Sequence, residues 1–484
     1  MPTTATQGQR APLVLCTASM LLFAYGCLQI ALSLGDGFYT SAALLLTLLS
    51  FGLCATAFWS AVRGGASDRR LPNDFMLLGV LVALLVVAWT RASVGYYIAD
   101  KTIDADYRIW LIVVFAAAVV VYIALQGRWD MLRRGVFGAL VLGAIVFRLW
   151  LPIAAPAPRV DVWTMGQQSV QNLLAGRNPY DTKITIVDYR LENPTQVFPG
   201  YVYPSPNLYL QAISYLLTHD VRYSSVVAEI LSAGMIWGLA RRRWRESAAE
   251  LLTLLFLYQP RALFMIEEAW LDTLIVAGFA LFLWVRDRDK PSLAAVVFGY
   301  TIALKQYMAF ALVQWLIIER NWKRLAIGVG TAALAVAPFV LWNPQAFVNS
   351  GLLYTVALPF RSTSLTVYSF LNRQWGFWPP TGWSVIVGGV LTAVTFLPQQ
   401  KIQPIRGFLF AVTVTTFGMF LFGSSGFYNW YYLVAGEMLL LLVVGGGRDK
   451  RWSPAGSGEE PLAGGASRQM DESGDGGTDE ATDA

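Results

Sequence analysis

Long apolar stretches, separated by short polar segments, make up most of the chain. A lipid bilayer has a hydrocarbon core about 30 Å thick, which a helix of about 20 mostly apolar residues can cross. The pattern therefore predicts one membrane-spanning helix for each long stretch. These helices are predicted over residues 11–34, 39–62, 73–92, 109–126, 135–153, 222–240, 248–265, 271–285, 325–342, 383–398, 407–423 and 427–446.

The apolar segment 292–318 is too short for two full crossings and too long for one. We expect two short or bent helices that meet near Lys305. Irregular backbone of this kind is tolerated in a membrane only where protein covers it or where it lines a cavity. The predicted fold class is thus all-α, a polytopic transmembrane bundle of about 12–14 helices with long external loops that carry short interfacial helices.

Composition supports a membrane chain, because 56% of the 484 residues are hydrophobic and only 14% are charged. Ordinary soluble proteins carry about 25% charged residues. The net charge of +5 comes from basic residues in short loops, where they set membrane orientation, so membrane lipids and not nucleic acid are the expected partners. The three cysteines lie in apolar segments without CxxC spacing, which indicates neither a disulfide framework nor a zinc site.

Basic residues in short loops mark the cytoplasmic side of a membrane protein. They cluster at 63–70, 128–134, 241–245, 286–290, 320–324, 401–406 and 448–451. This arrangement predicts a cell-membrane, multi-pass protein with both termini in the cytoplasm and two long external segments, 154–206 and 343–383. The predicted organisation is a cytoplasmic N-terminus (1–10), a transmembrane domain (11–452) and a disordered cytoplasmic tail (453–484) rich in glycine, serine and acidic residues.

The external segment 159–206 carries the most informative pattern. Asp161 follows the predicted membrane exit, and polar and apolar residues then alternate over 162–175 as in a helix on a membrane surface. Gly176 can end that helix in a left-handed conformation, and Pro179 prevents its continuation. The segment 203–206, with the sequence Tyr-Pro-Ser-Pro, marks the return to the membrane.

This combination resembles a known family. Asp161-Val162, the amphipathic helix, Gly176-x-Asn178-Pro179-Tyr180 and Tyr203-Pro-x-Pro206 are similar to the first large external loop of C-type (GT-C) integral membrane glycosyltransferases. The similarity is closest to the mannosyltransferases that use polyprenyl-phosphate mannose and to the GPI mannosyltransferases. It covers residues 160–243 well and the later helices loosely. The helices before Asp161 have no counterpart in the simplest pattern of that family.

The resemblance implies a hexosyltransferase that works on the external membrane face. It would transfer a sugar, for which mannose is the natural candidate, from a polyprenyl-phosphate donor to a lipid or glycan acceptor. The anomeric configuration would be inverted, and Asp161 would be the base. A carboxylate at the membrane edge can indeed take a proton from an attacking hydroxyl. The alternative is that Asp161 only caps the interfacial helix through the amide of Thr164.

Acidic residues Glu267, Glu268 and Asp272 cluster near the predicted external ends of two helices. Acids at such depth usually face a cavity or a partner. They are candidates to bind an acceptor hydroxyl or a divalent cation, although pairing with Arg261 would explain them equally well. Lys305 is a candidate for the carrier phosphate, or else a lysine that reaches toward the membrane surface.

Three further residues complete the candidate substrate-binding set. Arg361 lies in the second external segment with several aromatic residues and is a candidate to contact the phosphate, although an aromatic belt at any membrane interface would give the same composition. Asn429, in an aromatic string before the last helix, could bind sugar hydroxyls, unless that string is an interfacial anchor. Tyr180 belongs to the Asn-Pro-Tyr motif of the first loop. No metal ligand set and no cofactor are predicted, but the sequence is compatible with a bound divalent cation.

Fingerprints of other functions are absent from the sequence. No P-loop, GxSxG, HExxH or GxGxxG motif occurs in a supporting context. This argues against ATP-driven transport, hydrolase chemistry and a nucleotide-sugar domain. The alternatives that remain are a secondary transporter or lipid flippase, which only the number of helices favours, and a non-enzymatic membrane scaffold.

Overall fold

The computed structural model describes residues 16–64, 72–90, 94–99, 102–127, 129–187 and 195–445. The predicted cytoplasmic N-terminus (1–10) and tail (453–484) lie outside these residues. The predicted all-α class is confirmed, because helices make up most of the described chain and the only described sheet has two strands.

The first half of the chain contains eight helices and a small hairpin. In chain order they are α1 (Thr17–Gly35), α2 (Ser41–Val62), α3 (Asp74–Thr90), α4 (Thr102–Gly127), α5 (Asp130–Ala154), α6 (Asp161–Leu174), β1 (Ile184–Val187), β2 (Thr195–Phe198), α7 (Pro206–Thr218) and α8 (Tyr223–Ala240).

The second half continues with helices of very different lengths. They are α9 (Glu246–Leu257), α10 (Ala262–Glu267), α11 (Asp272–Arg286), α12 (Pro291–Ile302), α13 (Ala309–Ile318), α14 (Trp322–Trp342), α15 (Pro344–Ala346), α16 (Tyr354–Val356), α17 (Val367–Trp375), α18 (Trp383–Phe396), α19 (Pro404–Phe422) and α20 (Tyr428–Val444). A π-helical stretch, Phe347–Leu353, joins α15 to α16.

Seven of the described helices are long and apolar enough to cross a membrane, namely α1, α2, α4, α5, α8, α14 and α19. Shorter apolar helices, including α3, α12 and α20, pack among them. The prediction for residues 292–318 is confirmed: α12 and α13 are both short, and Lys305 lies in the break between them. The amphipathic helix α7 was not predicted.

The two ends of the bundle differ in character. One end, here called the basic end, carries ion pairs between loops and helix termini, including Arg133 with Glu250 and Arg243 with Asp287. At the opposite end, the loops after α1, α3, α5 and α19 contact one another and the segment 357–366. We call this second end the loop end.

A compact layer covers part of the loop end. It contains α6, the antiparallel β1–β2 hairpin, the start of α7 and the segment 344–356, with Tyr180 and Phe339 in its core. The helix predicted over 162–175 is present as α6, and Gly176 after it has the expected positive φ of 71°. This layer fixes the position of the loop that contains Tyr203.

The prediction of one helix over residues 248–265 is wrong, because the chain breaks between α9 and α10. A broken helix leaves backbone carbonyls without intrahelical partners. Side chains from distant helices bind them: the Tyr25 hydroxyl donates to Leu255 O (2.6 Å) and the Arg148 guanidinium to Leu257 O (2.8 Å). Tertiary contacts thus stabilise irregular backbone inside the bundle, which a lipid environment would otherwise strongly disfavour.

Candidate functional site

A buried carboxylate, Asp272, lies at the loop-end terminus of α11. Its Oδ2 accepts hydrogen bonds from Lys305 Nζ (2.8 Å) and from Asn429 Nδ2 (2.8 Å), and its Oδ1 accepts one from the Tyr307 hydroxyl. Asp272 is fully buried, and Lys305 is 4% exposed. Three predicted site residues therefore meet here, but the Asp272 carboxylate is occupied by protein donors.

Lys305 connects this carboxylate to an aromatic environment. Its ammonium lies 5.8 Å from the ring centre of Tyr203 and 5.2 Å from that of Tyr307. An ammonium near aromatic faces is attracted by their negative charge distribution. The ion pair with Asp272 and the two rings together compensate for the loss of water around Lys305.

Asp161 is the first residue of α6 and is half-buried at the loop end. Its Oδ1 accepts a hydrogen bond from the Val162 amide (2.8 Å). The alternative interpretation as a cap through Thr164 is wrong, because Val160 occupies the N-cap position and the Thr164 amide bonds to the carbonyl of Val160. The Asp161 carboxylate thus binds the amide of the next residue and not that of Thr164.

The Tyr203 phenol is influenced by charges from both aspartates. Burial raises its pKa above the ordinary value, the carboxylates of Asp161 and Asp272 raise it further, and the Arg361 guanidinium lowers it. The pKa of the Tyr354 phenol is likewise raised by burial, lowered by Arg361 and raised by Asp161. Asp161 and Arg361 therefore both act electrostatically on Tyr203 and Tyr354.

Arg361 is a half-buried cation in this group. Its guanidinium lies 5.8 Å from the ring centre of Phe427. Ion pairs at the loop end join Lys305 to Asp272, Arg261 to Asp36, and Arg222 to Asp220, and no ion pair of Arg361 is found within the described part of the chain. Its charge is thus available to an anion.

Tyr180, another predicted substrate-binding residue, is buried and supports the loop. Its hydroxyl donates to Tyr203 O (2.7 Å), and its ring packs against Phe339 and Phe347. The Ser350 hydroxyl in turn donates to Tyr180 O (3.0 Å). Tyr180 is 1% exposed, so its geometry suits positioning of Tyr203 better than contact with substrate.

The acidic group predicted around Glu267 separates into different environments. Glu267 and Glu268 are fully buried. The Glu267 carboxylate accepts hydrogen bonds from the amides of Tyr96 (2.6 Å) and Tyr97 (2.7 Å). Glu267 therefore holds the loop 94–99 in place, whereas Asp272 belongs to the Lys305 site.

The floor of the site lies below the end of α14. At the start of α7, the Ser205 hydroxyl donates to Ala335 O of α14 (3.0 Å), and the Asn207 amide donates to Leu304 O beside Lys305. Ala335 and Leu304 are thus at similar depth. From there α14 continues for a further seven residues to Trp342, or about 10 Å. Lys305 therefore lies about 10 Å deeper than the loop-end terminus of α14.

Metal binding has no geometric support within the described ranges, where no group of three His, Cys, Asp or Glu side chains is placed to hold an ion. The Asp272 carboxylate already accepts three hydrogen bonds from protein donors.

Sequence reasoning missed three aromatic residues as site components, Tyr203, Tyr307 and Tyr354. Tyr203 was recognised only as part of a re-entry motif. Tyr307 could have been suspected, because an aromatic hydroxyl two residues from a lysine in a helix break can reach the same buried partner. Tyr354 gave no signal, since it follows a π-helical stretch that sequence patterns do not indicate.

These features define a multi-pass helical membrane protein with a buried polar site at one end. Residues 201–424 match the model of glycosyltransferase family 87. The matched region includes Tyr203, Asp272, Lys305 and Arg361, and it starts after Asp161 and ends before Asn429. This match supports a glycosyltransferase, and it is consistent with the C-type membrane class. Comparisons with curated proteins and with solved structures give no match.

Proposed function

We propose that the protein transfers a hexose, with mannose as the first candidate, from a polyprenyl-phosphate carrier to a lipid or glycan acceptor. The reaction would take place on the external membrane face and would invert the anomeric configuration. The observation that carries this proposal is the match of residues 201–424, which include Tyr203 and Arg361, to glycosyltransferase family 87. Asp161 and Arg361, a carboxylate and a cation of the loop end, both act on the Tyr203 phenol, and such a pair suits hydroxyl attack and phosphate departure.

The proposed chemistry is a single displacement. The acceptor oxygen attacks the anomeric carbon while Asp161 takes its proton. The bond between that carbon and the phosphate oxygen breaks, and its electron pair leaves with the phosphate. Arg361 then stabilises the extra negative charge of the polyprenyl phosphate. One attack from the face opposite to the leaving group inverts the configuration.

The other members of the site receive supporting roles in this proposal. Lys305 is paired with Asp272, so we assign the first contact with phosphate to Arg361. Asn429 uses its amide nitrogen on Asp272 and holds the carboxylate from the start of α20. Asp272 thus orients Lys305, Tyr307 and Asn429, and does not itself contact the acceptor.

The proposed external location follows from charge. The basic end carries the arginine and lysine clusters of the short loops, and such clusters face the cytoplasm in most membrane proteins. Asp161 and Arg361 lie at the opposite end. A donor at the outer leaflet suits this side, because no nucleotide-binding motif is available for a soluble donor.

The decisive experiment measures sugar transfer directly. The wild type and Asp161→Asn are reconstituted in lipid nanodiscs and supplied with radiolabelled polyprenyl-phosphate sugars and a membrane lipid extract as acceptor pool. We expect label transfer by the wild type. In the variant the rate of transfer should fall at least about 100-fold, which is within the usual range for a lost general base.

A matched control is Asp106→Asn, which changes an exposed aspartate near the loop-end start of α4. It should keep full activity. Full transfer by a folded Asp161→Asn protein would rule out the assigned base. Absence of transfer with every lipid-linked sugar, from a folded wild type, would favour the secondary transporter or flippase instead.

A further inference from the structure

An aromatic surface adjoins the site on the side of the N-terminal helices. Phe38 (42% exposed) and Tyr96 (38% exposed) lie in the loops after α1 and α3, and Trp270 and Phe427 are partly exposed beside them. Tyr96 and Trp270 both pack against Phe264, at 4.9 Å between ring centres, and Phe38 packs against Phe427 at 6.0 Å. We call Phe38, Tyr96, Trp270 and Phe427 the aromatic wall.

Polar groups border the aromatic wall. The Tyr96 hydroxyl donates to Asp36 Oδ2 (2.5 Å), and Arg261 Nη2 lies 2.8 Å from Asp36 Oδ1. The Asp36 side chain keeps 28% of its surface exposed. Arg261 is buried and orients the Asp36 carboxylate, and this carboxylate and the Tyr96 phenol at the edge of exposed rings can bind a ligand with several hydroxyls.

The aromatic wall is continuous with the proposed catalytic residues. The Trp270 ring stacks on Tyr428 at 5.9 Å, and these two residues lie close in sequence to Asp272 and Asn429. Phe427 carries the Arg361 guanidinium on its ring. A ligand on the wall would therefore extend directly to the polar site.

The backbone around the wall is unusually constrained. Asp36, Arg261 and Ala269 have positive φ angles of 53°, 67° and 56°, which side chains other than glycine rarely adopt. Gly37 packs so closely on the backbone of Tyr428 that an added Cβ would lie 2.4 Å from its nitrogen. Such conformations persist only where the surrounding structure fixes them, and they concentrate at binding and catalytic sites.

We propose that the aromatic wall binds the sugar residues of the acceptor. This inference rests on the proposed function and adds the place of acceptor recognition to it. The apolar faces of sugar rings can lie on Phe38 and Trp270, while their hydroxyls meet Asp36 and the Tyr96 phenol, which the buried Arg261 holds in place. An ionised, hydrogen-bonded border suits a polyhydroxylated ligand and disfavours a lipid tail.

The position of the aromatic wall in the chain suggests a role for the N-terminal helices α1 to α3. Asp36, Phe38 and Tyr96 all precede the region 201–424 that matches the glycosyltransferase family. The helices α1 to α3 thus place acceptor-binding loops beside a catalytic core supplied by later residues.

The test separates acceptor saturation from donor saturation. Wild type, Phe38→Ala and Tyr96→Phe are assayed in nanodiscs with radiolabelled polyprenyl-phosphate mannose, and the lipid extract and the donor are titrated in turn. We expect the half-saturating amount of extract to rise about tenfold in each variant, as for one lost packing or hydrogen-bond contact, with the donor value within about twofold of wild type. Trp322→Ala, which removes an exposed aromatic ring at the basic end, is the matched control and should change neither value.

Two results would overturn the inference alone. One is transfer by both variants with an unchanged dependence on the extract, and the other is an equal rise in the donor and extract values, which would indicate a general structural role. No transfer by the wild type would overturn the proposed function and the acceptor site together. Tyr96→Phe keeps the ring and removes only the hydroxyl, so it still tests the acceptor site if Phe38→Ala does not fold.

Discussion

The Asp272 carboxylate lies 2.8 Å from the Lys305 ammonium at a place where neither side chain exposes more than 5% of its surface. Removing two charges from water is costly, and the attraction between them offsets this only if further hydrogen bonds complete the arrangement. Asn429 and Tyr307 supply those bonds from two other elements. The pair thus links the starts of α11 and α20 to the break between α12 and α13.

Loss of one partner should cost more than loss of both. In Asp272→Asn the Lys305 ammonium stays buried without its counter-charge, and we expect the free energy of unfolding to fall by about 3–5 kcal/mol. The double variant Asp272→Asn with Lys305→Met should recover a substantial part of that loss. Denaturant titrations in detergent micelles check this, with Asp106→Asn as control. A double variant less stable than Asp272→Asn would show that the charge is not the cause.

Arg361 should matter for the donor more than for the acceptor. Arg361→Gln removes the cation that we assign to the phosphate, so kcat/KM for the polyprenyl-phosphate sugar should fall about 10- to 100-fold, as for a lost bond to a charged group. Arg361→Lys keeps the charge and should lose less. Arg373→Gln changes an exposed arginine of α17 and serves as control. Equal losses in Arg361→Gln and Arg373→Gln would indicate a general effect of surface charge.

Tyr203 should act as a neutral hydrogen-bond donor. Its raised pKa keeps the phenol protonated through about pH 9, so Tyr203→Phe should lower kcat about tenfold without changing the shape of the rate profile from about pH 6 to about pH 9. Disappearance of an alkaline limb in the variant would instead identify Tyr203 as a titrating base.

The same raised pKa has a consequence for stability. Below about pH 10 the Tyr203 phenol is protonated in both the folded and the unfolded chain, so it gives no pH dependence. Above that pH the unfolded chain releases the proton first, and stability falls as the pH rises. Tyr203→Phe should therefore make alkaline unfolding less steep, which thermal scans at about pH 10 to 11 can measure.

The loop 94–99 should depend on a glycine. A Cβ at Gly95 would lie 2.3 Å from the Glu267 carboxylate, whereas a Cβ at Gly79 of α3 would meet nothing within 4 Å. Gly95→Ala should therefore destabilise the protein by about 1–3 kcal/mol through strain and displaced hydrogen bonds. Gly79→Ala should be neutral or stabilising by up to about 1 kcal/mol. Limited proteolysis of the loop and thermal melting distinguish the two, and equal melting temperatures would contradict the close contact.

The sequence was most informative where local physics decides the outcome. The apolar stretches located the long helices, and the alternation after Asp161 with Gly176 located α6 and its end. The break near Lys305 was also predictable, because segment 292–318 has the wrong length for one or two complete crossings. Each of these inferences depends only on residues that are neighbours in sequence.

The features that the sequence did not predict depend on contacts between residues that are far apart in the chain. The carbonyl groups at the end of α9 are bound by Tyr25 and Arg148, which lie more than 100 residues away in sequence, so the break before α10 depends on those contacts. Glu267 and Asp272 are only five positions apart, yet one binds a loop and the other an ammonium. No local pattern distinguishes two buried acids whose partners come from other helices.

The short length of α12 determines how deep one ion pair lies. Lys305 lies beside Leu304, about 10 Å short of the level that α14 reaches at Trp342. Under the proposed function, the substrates would meet Asp161 and Arg361, while the Lys305 ammonium stays inside the protein with Asp272. The shortness of α12 would thus place an internal ion pair against Tyr203, where it supports that ring without binding the leaving phosphate.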